Sequence, residues 1–146
     1  MMTVLDVAAY ILERQGSMTT MKLQKLVYYC QAWSLVWDER PLFDEPIEAW
    51  ANGPVTPALY AVHRGWFGID RVPGGDANGV DSLGRETIDA VLATYGGETA
   101  YTLSVMTHRE QPWKVARGAL PDGEPGVGEI ELDSMAEYYG GLVAPE

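Results

Sequence analysis

The sequence has one cysteine and two histidines, which removes several kinds of functional site. A single thiol cannot form an internal disulfide or a cysteine-rich zinc site, and His63 and His108 do not have the close spacing of metal ligands. Because Cys30 lies in an apolar and aromatic stretch, we expect a buried, reduced thiol. The sequence therefore predicts no catalytic residue, no cofactor and no metal. An unrecognised hydrolase with a dyad of Cys30 and one histidine is the weakest alternative.

Long apolar runs and basic charge are also scarce. No stretch of about 18 apolar residues occurs, and Asp6, Glu13 and Arg14 interrupt the apolar N-terminus. We therefore expect neither a membrane span nor a signal peptide, and a cytoplasmic location. Ten basic residues stand against 21 acidic ones, which gives a formal net charge of −11. This charge disfavours nucleic acid and anionic membranes as partners and favours a basic protein.

The acidic residues are concentrated towards the end of the chain. Arg117 is the last basic residue, and two roles for the acids after it remain open, a solubilising surface and electrostatic capture of a partner. These acids are Asp122, Glu124, Glu129, Glu131, Asp133, Glu137 and Glu146.

Apolar residues recur mainly at helical spacing, which predicts a mainly α-helical bundle that forms one domain over residues 1–146. The second helix is apolar on nearly every side, so we expect it at the centre of the domain. Capping boxes are expected at Thr3 with Asp6 and at Ser134 with Glu137. Helices are predicted at residues 3–15, 20–37, 57–65, 82–95, 98–108 and 113–117, and from about residue 134 onwards.

Between the second and third helices the pattern changes to short extended pieces. Residues 41–43 and 47–51 are the predicted extended pieces of a short β-hairpin inserted after the second helix. Thr56 is expected to cap the third helix. Residues 68–81 are rich in glycine and have no periodicity, so we expect a mobile loop there, and a second loop at 118–128.

Aromatic residues give the clearest sign of a binding surface. The chain has five tryptophans and eight tyrosines but two phenylalanines, and such amphipathic aromatics are frequent at interfaces. Core and interface roles remain equally open for Trp50, Tyr60 and Trp66, which lie near the hairpin and the third helix. The tryptophans expected to fill the core are Trp33, Trp37 and Trp113.

The first two helices are joined by a short turn, which also fits the start of a helix-turn-helix motif. Only Lys22 and Lys25 of the second helix could contact phosphate, and the rest of that helix has the composition of a core element. A DNA-binding transcriptional regulator is therefore a weaker alternative.

One pattern is more specific than any of these features. A lysine-led aromatic helix is followed by a segment that ends in Gly-Pro-Val and by Leu59-Tyr60, and a Pro-Trp pair stands further downstream. The residues that carry the pattern, called here the motif residues, are Lys22, Leu23, Lys25, Leu26, Tyr28, Tyr29, Trp50, Gly53, Pro54, Val55, Pro112 and Trp113. In order and spacing they resemble the Panacea domain family, the SocA-like antitoxin group of bacteria and phages.

The resemblance implies a mainly helical domain that is the antitoxin of a toxin–antitoxin system. The implied mechanism is direct binding of a cognate protein toxin, which neutralises it. The SocA branch acts as a proteolytic adaptor, so delivery of the toxin to a ClpXP-type protease is an implied alternative. Because aromatics on a projecting hairpin are typical binding anchors, we expect the toxin to contact Trp50, Tyr60 and Trp66.

Overall fold

α-Helices form most of the chain, as the helical spacing of its apolar residues predicts. The computed structural model of the protein describes residues 2–142. The helices of this part are α1 Val4–Gln15, α2 Thr20–Trp37, α3 Pro57–His63, α4 Ser82–Tyr95, α5 Ala100–Arg109, α6 Gln111–Arg117 and α7 Leu132–Leu142. They surround one hydrophobic core, which confirms the predicted mainly α-helical, single-domain fold. In this part of the chain, no helix combines the length and the apolar character needed to cross a membrane.

Helix α2 is the centre of the domain, as its composition predicts. Helices α1, α4, α5 and α7 pack against it. Every residue from Leu23 to Ser34 is buried, so the helix is enclosed on all sides over three turns. Most of α2 is therefore inaccessible to a DNA major groove, which disfavours a recognition-helix role.

Two of the three expected core tryptophans are buried. Trp33 is 7% exposed and Trp113 is 3% exposed. The prediction is wrong for Trp37, which is 47% exposed and stacks on Trp33. The reason is that burial declines along the last turn of α2, where Leu35 and Val36 are already only half-buried.

Four short strands form two antiparallel pairs within residues 2–142. Strand β1 (Met18–Thr19) pairs with β4 (Gly68–Ile69), and β2 (Glu48–Trp50) pairs with β3 (Gly53–Val55). The hairpin after α2 is thus confirmed.

The extended pieces predicted for that hairpin are only partly correct. Residues 41–43 form no strand, because the buried side chain of Gln31 binds their backbone. Its Oε1 accepts a hydrogen bond from N of Leu42 at 2.7 Å, and its Nε2 donates to O of Phe43 at 2.9 Å. This side chain satisfies the backbone groups that a strand partner would otherwise take.

The glycine-rich segment 68–81 is mostly irregular, but it is packed against the domain. Val72 and Val80 are buried, and the 3₁₀ turn Ala77–Gly79 packs on α1. A Cβ atom at Gly75 would overlap the backbone of α1. The expectation of a segment without structure is therefore wrong, because small residues such as Gly75 permit close packing, and its mobility stays a prediction.

The structure does not contain two of the predicted helix-capping hydrogen bonds, those of Thr56 and Ser134. Thr56 precedes α3, but its side chain makes no capping hydrogen bond. Its backbone is instead bound by the side chain of Gln24. Helix α7 begins at Leu132, so Ser134 lies inside the helix and its predicted capping box with Glu137 is wrong.

Candidate functional site

The structure brings Trp50, Tyr60 and Trp66 together around one groove with a volume of about 580 Å³. Helix α2, the β2–β3 hairpin, α3 and the turn after α3 contribute to the lining, and residues 125–127 complete it. The three aromatics predicted to bind a partner thus belong to a single surface. Whether they contact a toxin stays a prediction.

Two of these aromatic rings are held in place by their neighbours. The ring of Trp50 packs edge-on against that of Tyr60, with centroids 4.9 Å apart, and Nε1 of Trp50 donates a hydrogen bond to Oε1 of Glu48 at 2.8 Å. The ring of Tyr60 in turn meets that of His63 at 5.4 Å. Rings fixed in this way lose little conformational freedom when they bind a partner.

Exposed apolar side chains gather along the same groove. Met21, Trp66 and Val127 line it and are 44%, 46% and 71% exposed. Phe67, which follows Trp66, is 84% exposed. A concentration of exposed apolar side chains is typical of an interaction site, whereas such residues scattered singly over a surface carry no such meaning.

Gln24 of α2 joins the hairpin and α3 to the centre of the domain. Its Oε1 accepts a hydrogen bond from N of Thr56 at 2.9 Å, and its Nε2 lies 3.0 Å from Nε2 of His63. Since the amide nitrogen can only donate, this contact requires an unprotonated Nε2 on His63. Burial lowers the pKa of His63, which agrees with a neutral ring.

The turn of the hairpin is tied to α5 and α6. Nε1 of Trp113 donates to O of Trp50 at 2.9 Å, and Oγ of Ser104 donates to O of Asn52 at 2.8 Å. Nε2 of His108 lies 2.9 Å from O of Ala51. The downstream Pro-Trp segment therefore positions the wall of the groove.

Among the described residues, Lys25 is the acidic or basic side chain besides His63 that lines the groove. Its side chain is almost fully buried, with 2% of the residue exposed, yet the residue lines the groove. Among residues 2–142 it has no hydrogen-bond or ion-pair partner. Burial lowers the pKa of Lys25 to about 8, because a charged ammonium group is poorly solvated there.

Gly53 explains how the hairpin crosses Lys25 so closely. Its φ of +122° is rare for residues with a side chain, and a Cβ atom there would overlap Cε of Lys25 and lie 3.2 Å from its Nζ. The two motif residues thus form a matched pair, since only glycine lets the backbone pass over the lysine. Sequence reasoning missed this pair because α2 and β3 are separated by residues 38–52, so no local pattern relates Lys25 to Gly53.

The tyrosines of the motif belong to a different cluster, centred on Glu110. The hydroxyls of Tyr29 and Tyr139 each donate to Oε1 of Glu110 at 2.7 Å. The hydroxyl of Tyr28 lies 3.0 Å from that of Tyr139. Burial raises the pKa of Glu110, although both hydrogen bonds favour its charged form. No local pattern identifies Glu110, because its partners come from α2 and α7.

The remaining motif residues support the fold. Nζ of Lys22 donates to O of Gly96 at 2.7 Å and so binds the end of α4. The buried motif residues without such a hydrogen bond are Leu23, Leu26, Pro54, Val55 and Pro112.

Cys30 is fully buried, as expected. Burial raises the pKa of its thiol, which disfavours the reactive thiolate. A structural role for this residue follows.

Most of α2, the hairpin and α3, which contribute to the groove, lie in one stretch of sequence that matches a known family. Residues 23–75 match the antitoxin SocA-like, Panacea domain family. The resemblance is therefore confirmed over this segment, which contains Lys25, Trp50, Tyr60 and Trp66. The Panacea match supports an antitoxin-like role, a protein partner and a function without catalysis. Neither a curated protein nor a solved structure matches the chain significantly.

Proposed function

We propose that the protein is an antitoxin that neutralises a protein toxin by direct binding, with the groove around Trp50, Tyr60 and Trp66 as the main contact. The observation that carries this proposal is the overlap of the groove with the Panacea-matched segment 23–75, which contains Lys25, Trp50, Tyr60 and Trp66. Neutralisation requires a binding surface rather than a reaction centre. The groove offers apolar area, fixed aromatic rings and a depression that a protruding segment of a partner can enter.

The aromatic residues have the properties of binding anchors. A few tryptophan, tyrosine and arginine side chains near the centre of an interface commonly carry most of the binding free energy. Trp50 and Tyr60 are half-buried and held in place, and Trp66 is more exposed. Burying the rest of these rings against a partner would therefore supply apolar contact at a low entropic cost.

The acidic residues after Arg117 favour a toxin of basic charge. All those that lie within the described part of the chain are exposed, and opposite charge raises the rate of association. A solubilising role fits the same exposure. Because complementary charge raises the association rate more than the affinity, we expect these acids to affect mainly the rate of toxin binding. The described acids are Asp122, Glu124, Glu129, Glu131, Asp133 and Glu137, whereas Glu146 lies outside the described residues.

Co-expression tests the proposal. The toxin is sought as the product of an adjacent small gene that is toxic when expressed alone. We expect alanine at Trp50, Tyr60 or Trp66 to weaken toxin binding by about 2 kcal/mol or more and to reduce rescue of growth. Glu86→Ala is the matched control, because Glu86 is exposed and lies outside the groove.

Folding is checked by a thermal melt of each variant, since loss of a buried aromatic also costs stability. Trp66→Ala is the most informative variant, because its ring is the most exposed of the three. If all three variants melt like the parent and still rescue cells fully, the toxin binds elsewhere.

A further inference from the structure

We propose that the groove binds a segment of the toxin that carries one carboxylate between apolar side chains, and that the Lys25 ammonium is the counter-ion of this carboxylate. The inference rests on the proposed function and adds to it the chemistry of the partner.

The first argument is the missing partner of Lys25. A buried charge is costly unless it is paired and hydrogen-bonded, and proteins normally supply a partner from their own chain. This chain has 21 acidic residues. None of those in residues 2–142 pairs with Lys25, and none lines the groove. The ammonium therefore keeps its binding capacity for a group from outside.

The second argument is the rigid placement of the lysine. Its stem lies on the enclosed helix α2, and the backbone at Gly53 crosses directly over Cε. The long side chain is thus prevented from swinging out into solvent, as surface lysines do. A fixed ammonium group in a poorly solvated position binds a carboxylate more strongly than a mobile, hydrated one.

The third argument favours a protein segment over a free small acid as the ligand of Lys25. The net charge of −11 repels free anions at long range. A carboxylate on a basic protein is not repelled in this way, because the rest of that protein is attracted. The apolar side chains around Lys25, among them Met21, Trp50 and Val127, provide contacts for apolar residues on either side of the carboxylate.

Selection from a displayed library of random heptapeptides tests the chemistry without the toxin. The full chain and two variants, Lys25→Met and Lys22→Met, are used as bait. We expect wild type and Lys22→Met to enrich peptides with one Asp or Glu among apolar residues, and Lys25→Met to lose the acidic preference. Lys22→Met is the control because Lys22 is on the same helix but binds O of Gly96 and does not line the groove.

One enriched peptide is then compared with its amide counterpart, in which Asp is replaced by Asn or Glu by Gln. We expect the amide to bind wild type at least about tenfold more weakly and to bind Lys25→Met as well as the acidic peptide does. A thermal melt shows that each variant is folded. This cycle isolates the contact between Lys25 and the carboxylate.

Three results would overturn the inference. Equal affinity of acidic and amide peptides for wild type shows that the groove does not select a carboxylate, while the proposed toxin binding stands. Binding of free 4-phenylbutyrate as tightly as the acidic peptide indicates a small-molecule site. Absence of any selected peptide, with full rescue of cells by Lys25→Met, places the toxin contact on another surface.

Discussion

Lys25 on α2 and Glu110, which binds Tyr29 of the same helix, are both ionisable groups, but their surroundings differ. Glu110 accepts hydrogen bonds from Tyr29 and Tyr139, so its charge is solvated by the protein itself. Lys25 has no such partner in the described part of the chain, and it borders an open groove. A buried charge that is paired within the protein holds elements together, whereas one left unpaired at a groove is available to a ligand.

Removing the Glu110 carboxylate should have the largest effect on the free energy of unfolding. In Glu110→Ala the hydroxyls of Tyr29 and Tyr139 lose their common acceptor, and each unsatisfied buried donor costs about 1–3 kcal/mol. We expect the free energy of unfolding to fall by about 3–5 kcal/mol, measured by urea denaturation. Glu110→Gln, which keeps a carbonyl acceptor, is the control and should lose less. A loss below about 1 kcal/mol in the alanine variant would show that the cluster does not stabilise the fold.

A smaller loss of stability is expected for Gly53→Ala, at the point where the hairpin crosses Lys25. Gly53→Ala adds a Cβ atom that overlaps Cε of Lys25, at a φ that disfavours alanine. We expect a loss of about 2–4 kcal/mol in the free energy of unfolding. The exposed Gly97, where a Cβ atom would meet open space, provides the control Gly97→Ala.

The pairing of the two residues is tested with the double variant Gly53→Ala/Lys25→Ala. Removing the lysine stem makes room for the new methyl group, so the double variant should be less destabilised than the sum of the single variants. Strict additivity would contradict a direct contact between the two residues.

The smallest change in the free energy of unfolding is expected for Lys25→Met, and it is an increase rather than a loss. Burial lowers the pKa of Lys25 from 10.5 to about 8, so below pH 8 the folded protein carries a buried charge that destabilises it. Methionine removes the charge and keeps the stem, which should raise the free energy of unfolding by about 1–3 kcal/mol at neutral pH.

The pH dependence gives the sharper test of this prediction. Between about pH 8 and 10.5 the folded chain has lost the Lys25 proton while the unfolded chain retains it, so the stability of wild type rises with pH in this window. The difference in free energy of unfolding between Lys25→Met and wild type should therefore be largest below about pH 8 and decrease above it. His63 and Tyr60, which also line the groove, are present in both proteins and cancel in the difference. A methionine variant that is less stable than wild type at neutral pH would show that the ammonium has an internal partner.

Local patterns determined most of the helices. The bounds of α2 agree with the predicted 20–37, and Thr3 with Asp6 forms the expected capping box of α1. These features depend on residues a few positions apart, whose periodicity and hydrogen-bonding capacity can be read directly from the sequence. Recognition of the motif also rested on order and spacing, and the family match over residues 23–75 confirms it for the motif residues from Leu23 to Val55.

Only the tertiary structure decided which polar residues are structural and which face the groove. Lys22 and Lys25 are three positions apart on one helix, yet one binds O of Gly96 and the other is left unpaired under the hairpin. Likewise, residues 41–43 form no strand because Gln31 from α2 takes their backbone hydrogen bonds. Such outcomes depend on contacts between elements far apart in sequence. Periodicity identifies the face that a helix buries, but it does not say which residue of another element will meet a given side chain there.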